Sequence, residues 1–449
     1  MNNKTKQSAR AAALDILCEQ QKSGLPLDVI CEKRLGKIIL PDSRDNNLVM
    51  ALISGVMRRL RYLDWLISTL SSHPLKKMKP LTINALRLGL LQIFFMDKIP
   101  AAAAINETIK ALKKAGQPRW LLNFVNGVLR NAARKKKELQ KKAKKEMSPA
   151  EHYSYPDWLF SRWNKRYGPA MAEKICCLGN TPPPLTLAVN SGKISAGNYL
   201  DKLAQEKIAG RAGELCRNSI YPNFKGDIRE LPGFAQGLFH IQDEAAQLVV
   251  KLFKPLKPGN YLDCCAGLGG KTMQLGSMLP QGSSLLAVEP NKSRLKRLKE
   301  NLKRLEMEEK VEIFNMTLAQ FAGQTDTLFN YILVDAPCSG LGVIRRHPDI
   351  RWNRQPRDLI TMQQTQLQLM TIAAGLLAPD GVMVYATCTI EPEENDEVVS
   401  RFLSAHPHMK ISRPKLTGKA ASLVDENNFL RTLPTTDHDG FFAVRLMNS

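Results

Sequence analysis

Residues 261–272 read YLDCCAGLGGKT, and their reading decides the fold. A short apolar run, 261–265, passes straight into a turn containing Gly267, Gly269 and Gly270, and a helical stretch follows. Outward from this unit the same grammar recurs. Apolar runs at 284–289 (SLLAVE), 311–314 (VEIF), 331–336 (YILVDA) and 382–387 (VMVYAT) are separated by helical stretches such as NKSRLKRLKENLKRLEM. That alternation predicts a parallel sheet flanked by helices, an α/β Rossmann-like fold, with FFAVRLM (441–447) as a last strand. In such a sheet a ligand binds in the crevice at the carboxyl ends of the strands.

The turn Cys265, Ala266, Gly267, Leu268, Gly269, Gly270, Lys271 lets the backbone approach a ligand closely, and the helix behind it presents free N–H groups. Three cofactors compete for it. A nucleotide-triphosphate loop needs glycine where Cys265 stands, and a dinucleotide site needs glycine where Thr272 stands. S-adenosylmethionine has no pyrophosphate and asks for less. Glu289, 19 positions after Gly270, closes the next strand and can hold both ribose hydroxyls. The loop and the acid together do not separate the three ligands.

Two further strands end in cysteine-bearing turns, Asp335-Ala336-Pro337-Cys338 and Thr387-Cys388-Thr389. A lone buried cysteine is usually inert core. Two at carboxyl strand ends, one beside an aspartate, point to chemistry. A thiolate that adds to C6 of cytosine turns the ring into an enamine, and C5 becomes a nucleophile able to take a sulfonium methyl. A base must then remove the C5 proton, and a carboxyl group can bind the N3 and amine edge of the adduct. Asp335, Cys338 and Cys388 supply such a set.

The rest of the 449 residues bounds the reading. Lys+Arg outnumber Asp+Glu by 64 to 42, and residues 1–150 hold 29 basic against 11 acidic side chains. The excess predicts a polyanion bound largely by the N-terminal third. No apolar run reaches the roughly 18 residues of a membrane helix, and charges interrupt the first apolar stretch, so neither membrane segment nor signal peptide is expected and the protein is expected in the cytoplasm. The nine cysteines lack zinc-ligand spacing; free thiols, no metal and a monomer are expected. Residues 5–133 read as helices throughout, and the run 134–146, with eight basic and two acidic side chains, reads as a solvated linker that can touch phosphate. The expected organisation is an all-helical domain over 1–135, a basic linker over 136–150, a small α/β subdomain over 151–240 and the Rossmann-like domain over 241–449. Arg345, Arg346 and His347 read as a surface loop with scattered charge or as phosphate contacts, the second favoured by the Pro-Cys motif they follow; Glu393 and Glu394 are read as the start of a helix, without a catalytic role.

DAPCSGLGVIRRHPDIRW (335–352) and YATCTIEPEEN (385–395) resemble the bacterial RNA 5-methylcytosine methyltransferases. FVNGVLRNAARKK (124–137) is similar to the end of the helical RNA-binding domain shared with NusB-type antitermination factors, and YPDWL (155–159), NTPPPLTLAVN (180–190) and HIQDEAAQ (240–247) are family-like. The resemblance spans nearly the whole chain and is strongest to the members acting on small-subunit (16S) ribosomal RNA. It implies S-adenosylmethionine as cofactor, held by residues 265–271, Glu289 and Asp335. It implies Cys388 as the nucleophile, Cys338 as the residue assisting proton removal or product release, and Asp335 at the base. Two departures stand out. The family's Cys-Ala-Ala-Pro-Gly-Gly-Lys is Cys-Ala-Gly-Leu-Gly-Gly-Lys here, and Asn315-Met316 replace a Gly-Asp whose acid reaches the adenine edge. The competing expectations are a non-catalytic RNA-binding assembly or antitermination factor, and methylation of another RNA or of DNA.

Overall fold

The computed structural model describes residues 5–42 and 44–449; the first residues of the expected helical domain, 1–4, and residue 43 lie outside it. The chain divides into two compact units. One is Met1–Pro182 together with Ile344–Arg354, and the other is Pro183–Val343 with Gln355–Ser449.

The first unit is a helical bundle around the helix Pro80–Phe95, whose sequence PLTINALRLGLLQIFF is apolar on nearly every face and is therefore surrounded by other helices. Helices Ala9–Ser23, Arg44–Arg58, Ala101–Lys114 and Arg119–Arg134 bury Leu17, Leu52, Leu112 and Leu129 in the same core. The segment is not helical throughout. Strands β1 (Thr5–Lys6) and β2 (Ile38–Ile39) make a short parallel pair. The expected linker is also different. Lys136–Glu146 is a helix, because Leu139 and Ala143 fall four apart on one face and are buried in the bundle core while the lysines keep to solvent. Helices Asp157–Tyr167 and Pro169–Gly179, expected in the middle subdomain, belong to this unit as well.

Ile344–Arg354 is fixed here through side chains remote in sequence. The buried Arg351 guanidinium donates to Ser154 O (3.2 Å), Gly179 O (2.9 Å) and Asn180 Oδ1 (2.8 Å) and lies 3.9 Å over the Tyr155 ring. Trp352 Nε1 donates to Met57 O at 2.8 Å. Arg345 is only 2% exposed, and Arg58 donates to its carbonyl at 2.6 Å. Its expected role as a phosphate contact is therefore withdrawn: a guanidinium shielded from solvent does not reach a phosphate.

The second unit contains two sheets. Strands β3 (Leu187–Val189), β4 (Gly210–Ala212), β5 (Ser219–Pro222) and β6 (Phe239–Ile241) form an antiparallel sheet in the order β4-β5-β3-β6. The larger sheet contains β7 (Asn260–Asp263), β8 (Ser284–Val288), β9 (Glu312–Phe314), β10 (Phe329–Asp335), β11 (Leu377–Thr387), β12 (Met409–Ile411), β13 (Leu430–Thr432) and β14 (Phe441–Asn448). Its order is β12-β14-β11-β10-β7-β8-β9, with β13 also on β14. Strands β7 to β11 run parallel and β14 antiparallel to β11. The Rossmann-like expectation is borne out. The inner strands read as unbroken apolar runs because helices cover both faces: Leu248, Leu275 and Leu298 share a core on one side, Met370, Val398 and Phe402 on the other. Chain order reverses between β7 and β10, the switch point at whose carboxyl ends such sheets bind ligands. Among the described residues no helix is long and apolar enough to cross a membrane.

Candidate active site

The glycine turn leaves β7 through Asp263, which is fully buried. Its carboxylate accepts from Thr272 Oγ1 (2.6 Å) and from Cys265 N (3.2 Å), so it ties both ends of the turn together. Burial pushes its carboxyl up to about 6, against the lowering effect of the Thr272 bond, with the Asp335 charge adding to the rise. Gly269 has φ +89°, and a side chain there would meet Leu298 at 2.4 Å, so the position requires glycine. The helix Gly270–Met278 starts at once. Beside Gly267 there is room: an added Cβ would meet nothing nearer than 4.0 Å.

Glu289, at the end of β8, is 3% exposed. One oxygen accepts from Gly267 N (2.9 Å) and the other from Asn291 N (2.7 Å), which holds the carboxylate rigidly beside the turn. Leu268 is 46% exposed and only its carbonyl is engaged, by Asn301. Lys271 turns away from the loop and donates to Asp335 Oδ2 at 2.7 Å, beside the Phe441 ring. Burial alone would lower its ammonium, but Asp335, with Cys388 and Asp263 behind it, raises it. Asn315 spends its amide on the carbonyls of Glu289 (2.9 Å) and Pro290 (3.1 Å), so it braces the end of β8.

The two cysteine turns meet because β10 and β11 are parallel neighbours with Asp335 opposite Ala386. Cys338 Sγ and Cys388 Sγ lie 3.2 Å apart, unbonded, and all nine cysteines are free thiols. Gly342 N donates to Cys388 O at 3.0 Å, and a Cβ on Gly342 would sit 2.1 Å from Gly440 O, so only glycine lets the chain pass there. Behind the sulfurs lies a buried network with no counterpart in the sequence reading. Ser339 N donates to Glu394 Oε2 at 2.7 Å; Gln366 Nε2 donates to the same oxygen and to Pro337 O, each at 3.0 Å. Ser339 Oγ pairs with Thr389 Oγ1 at 3.0 Å, and Tyr385 OH donates to Glu394 O at 2.6 Å. Glu394 is fully buried, and that burial raises its carboxyl against four hydrogen bonds that lower it. Glu393 and Glu394 do begin a helix, as expected, the single 3-10 turn Pro392–Glu394, and the longer helix Asp396–Ala405 follows. A carboxylate two residues after a proline looks like a helix cap in sequence; nothing local announces that it faces the turn 55 residues upstream.

The chain is matched by three family models: 16S rRNA methyltransferase RsmB/F over residues 250–447, the NusB family over 7–134, and an RsmF/B-like methyltransferase ferredoxin-like domain over 155–229. The Ribosomal RNA small subunit methyltransferase B of Yersinia pestis bv. Antiqua (strain Angola) is 35% identical over 405 residues, covering 90% of this chain and 91% of that protein. Among solved structures, PH0851 superposes with TM-score 0.78 at 21% identity over 98% of each chain. A methyltransferase homolog protein from Pyrococcus horikoshii superposes with TM-score 0.58 at 24% identity, over 67% of this chain and 98% of its own. The two structures share the fold.

Proposed function

The chain belongs to the 16S rRNA methyltransferase RsmB/F family, and from that premise we propose that it methylates C5 of one cytosine in small-subunit ribosomal RNA through a covalent bond between Cys388 and C6. The observation that carries the reading is the pair of sulfurs 3.2 Å apart past the carboxyl ends of β10 and β11, with the Lys271–Asp335 pair at the end of the same β10. RNA binding alone needs neither thiol.

The glycine turn fits S-adenosylmethionine. The space beside Gly267 and the rigid Glu289 carboxylate suit a ribose, since each carboxylate oxygen keeps a lone pair after its one backbone bond. No acid stands at 315–316 for the adenine edge, and the Asn315 amide is already spent, so packing carries that end of the molecule. When bound, S-adenosylmethionine supplies an electrophilic methyl group. Everything else is done by the chain. The Cys388 thiolate forms a bond to C6, and the ring electrons move to C5 and make it nucleophilic. Asp335, held in place by Lys271, meets the N3 and amine edge and steadies the charge that develops there. After alkylation a base on the C5 side, with Cys338 assisting, takes the C5 proton. The electron pair returns through the ring, and the C6–S bond breaks to regenerate the Cys388 thiolate.

The N-terminal domain over 1–135 and the basic helix that follows supply RNA affinity, the subdomain within 151–240 adds contacts, and 241–449 carries the chemistry. Duplex-bound cytosine is out of reach of a crevice of this kind, so the target base must be single-stranded or extruded. The test is transfer of labelled methyl to unmodified small-subunit RNA with the labelled base mapped. Label on C5 of one cytosine supports the reading; label elsewhere, or full activity in Cys388→Ala, ends it.

A further inference from the structure

A cavity of about 610 Å³ lies in the second unit, apart from the cofactor turn and the cysteine pair: none of residues 265–271, Glu289, Asp335, Cys338 or Cys388 lines it. We propose that it binds a nucleoside phosphate, with the phosphate among the cations of its rim and the base against its methionine-lined floor. The source of that ligand is a nucleotide of the bound RNA strand or a free nucleotide. The strand source rests on the reading of RNA as substrate given above; the cavity itself does not.

The walls come from the turn between β4 and β5, the end of the helix Glu244–Lys251, the far half of the helix Gly270–Met278 and residues 415–420. Five lining side chains are basic and one is acidic. The acid, Glu214, is spent on Lys419 at 2.7 Å. Among the described residues no carboxylate pairs with Arg217, Lys251, Lys254 or Lys415. The Lys251 ammonium reaches the Cys216 sulfur, but burial pushes that thiol up to about 12 against the pull of the lysine, so it stays neutral and leaves the charge of Lys251 uncompensated. Cations from separate elements, gathered around one concavity without counter-charges, make a place for phosphate. The floor has the opposite character. Met273, Leu305 and Met307 are buried there, and methionine adapts to the flat face of a ring. In the same wall Gln274 donates Nε2 to Gln247 O at 2.8 Å, while its Oε1 is buried without a partner. A buried acceptor left unmatched is costly, and a base N–H is the kind of donor that answers it. Inorganic phosphate offers neither an apolar face nor such a donor, and it uses only the rim. The volume suits a small organic ligand.

The test uses the full chain. Calorimetry with the four ribonucleoside 5′-monophosphates, and with inorganic phosphate for comparison, reads the free source. Gel shift of unmodified small-subunit RNA across a salt series reads the strand source. K251Q/K254Q/K415Q removes charge; S277W keeps every charge and fills the cavity from its helix wall. For a strand nucleotide, both variants should weaken RNA binding by at least about tenfold, and the triple variant should lower the slope of log affinity against log salt by about 2, as three lost single-strand contacts do. For a free nucleotide, both should weaken monophosphate binding by at least about tenfold while RNA binding holds. K251R/K254R/K415R should restore either. With no monophosphate bound to wild type, RNA affinity that falls in the triple variant but holds in S277W reports diffuse charge alone and overturns the proposal, as does RNA affinity that holds in both. Inorganic phosphate bound as tightly as every monophosphate overturns it too. Crosslinking of 4-thiouridine RNA to wild type needs no variant to fold: adducts only on peptides outside the cavity, with no monophosphate bound, contradict both sources. No readout here measures methyl transfer, so failure of the site is separate from failure of the methylation reading, which the position of the methyl label decides.

Discussion

The two halves of the crevice are built on opposite plans. On the glycine side the backbone does the shaping: two left-handed glycines, Gly267 and Gly269, a helix start, and two acids, Asp263 and Glu289, whose oxygens bind the turn's own N–H and hydroxyl groups. On the cysteine side the turn also passes through glycines, Gly340 and Gly342, but side chains far apart in sequence do most of the shaping: Glu394 and Gln366 beside Cys338, Thr389 against Ser339. A binding loop needs a path for a ligand, which glycines provide locally. Two thiols proposed to play different roles need different surroundings, and only tertiary structure provides those.

The contrast can be broken or sharpened by substitution. The largest effect is expected at Cys388: its replacement by Ala should lower methyl transfer to RNA by on the order of 10⁴-fold or more, as loss of a covalent nucleophile does, with S-adenosylmethionine binding by calorimetry unchanged. Cys338→Ala should also lose turnover, but for the opposite reason. It should accumulate an RNA–protein species that survives a denaturing gel, and its absence would count against a release role. On the glycine side, Glu289→Ala should weaken cofactor binding by about 10- to 100-fold, the scale of losing hydrogen bonds to a charged group. RNA affinity, measured by gel shift, should not move.

Smallest is the effect at Asp263, where pH is the probe. Its carboxyl lies near 6 in the folded chain, above its ordinary unfolded value of about 3.9. Between those limits the folded state holds a proton that the unfolded state has lost, so stability falls as pH rises from about 4 to 6 and is level above. The total is about 3 kcal/mol at most. The melting temperature of wild type relative to Asp263→Asn should therefore decline across that window. A flat difference would mean that Asp263 is ionised throughout.

The same contrast explains what the sequence made legible. The glycine turn, Glu289 and the strands around them are written in consecutive residues, and inner strands covered on both faces read as apolar runs. The two cysteines were legible because each closes such a run. Glu394 was not, because its partner is the Ser339 peptide, and the acids after Pro392 resemble a helix start. Lys271 was read toward the cofactor, while its ammonium meets Asp335 from a strand 64 residues on. In the helical unit, the lysines of 136–146 masked Leu139 and Ala143, and Arg345 passed for a surface charge because nothing near it in sequence shows that Ile344–Arg354 packs with helices from the other end of the chain.

Small-subunit RNA carrying 5-fluorocytosine offers the most direct measurement, because fluorine cannot leave C5 as a proton does and the reaction must stall with its bond to sulfur intact. Wild-type protein, incubated with this RNA and S-adenosylmethionine, then digested and sequenced by mass spectrometry, should carry a methylated fluorocytidine on the peptide containing Cys388. A nucleotide attached to Cys338, or methylated RNA released with no protein bound, would contradict the account.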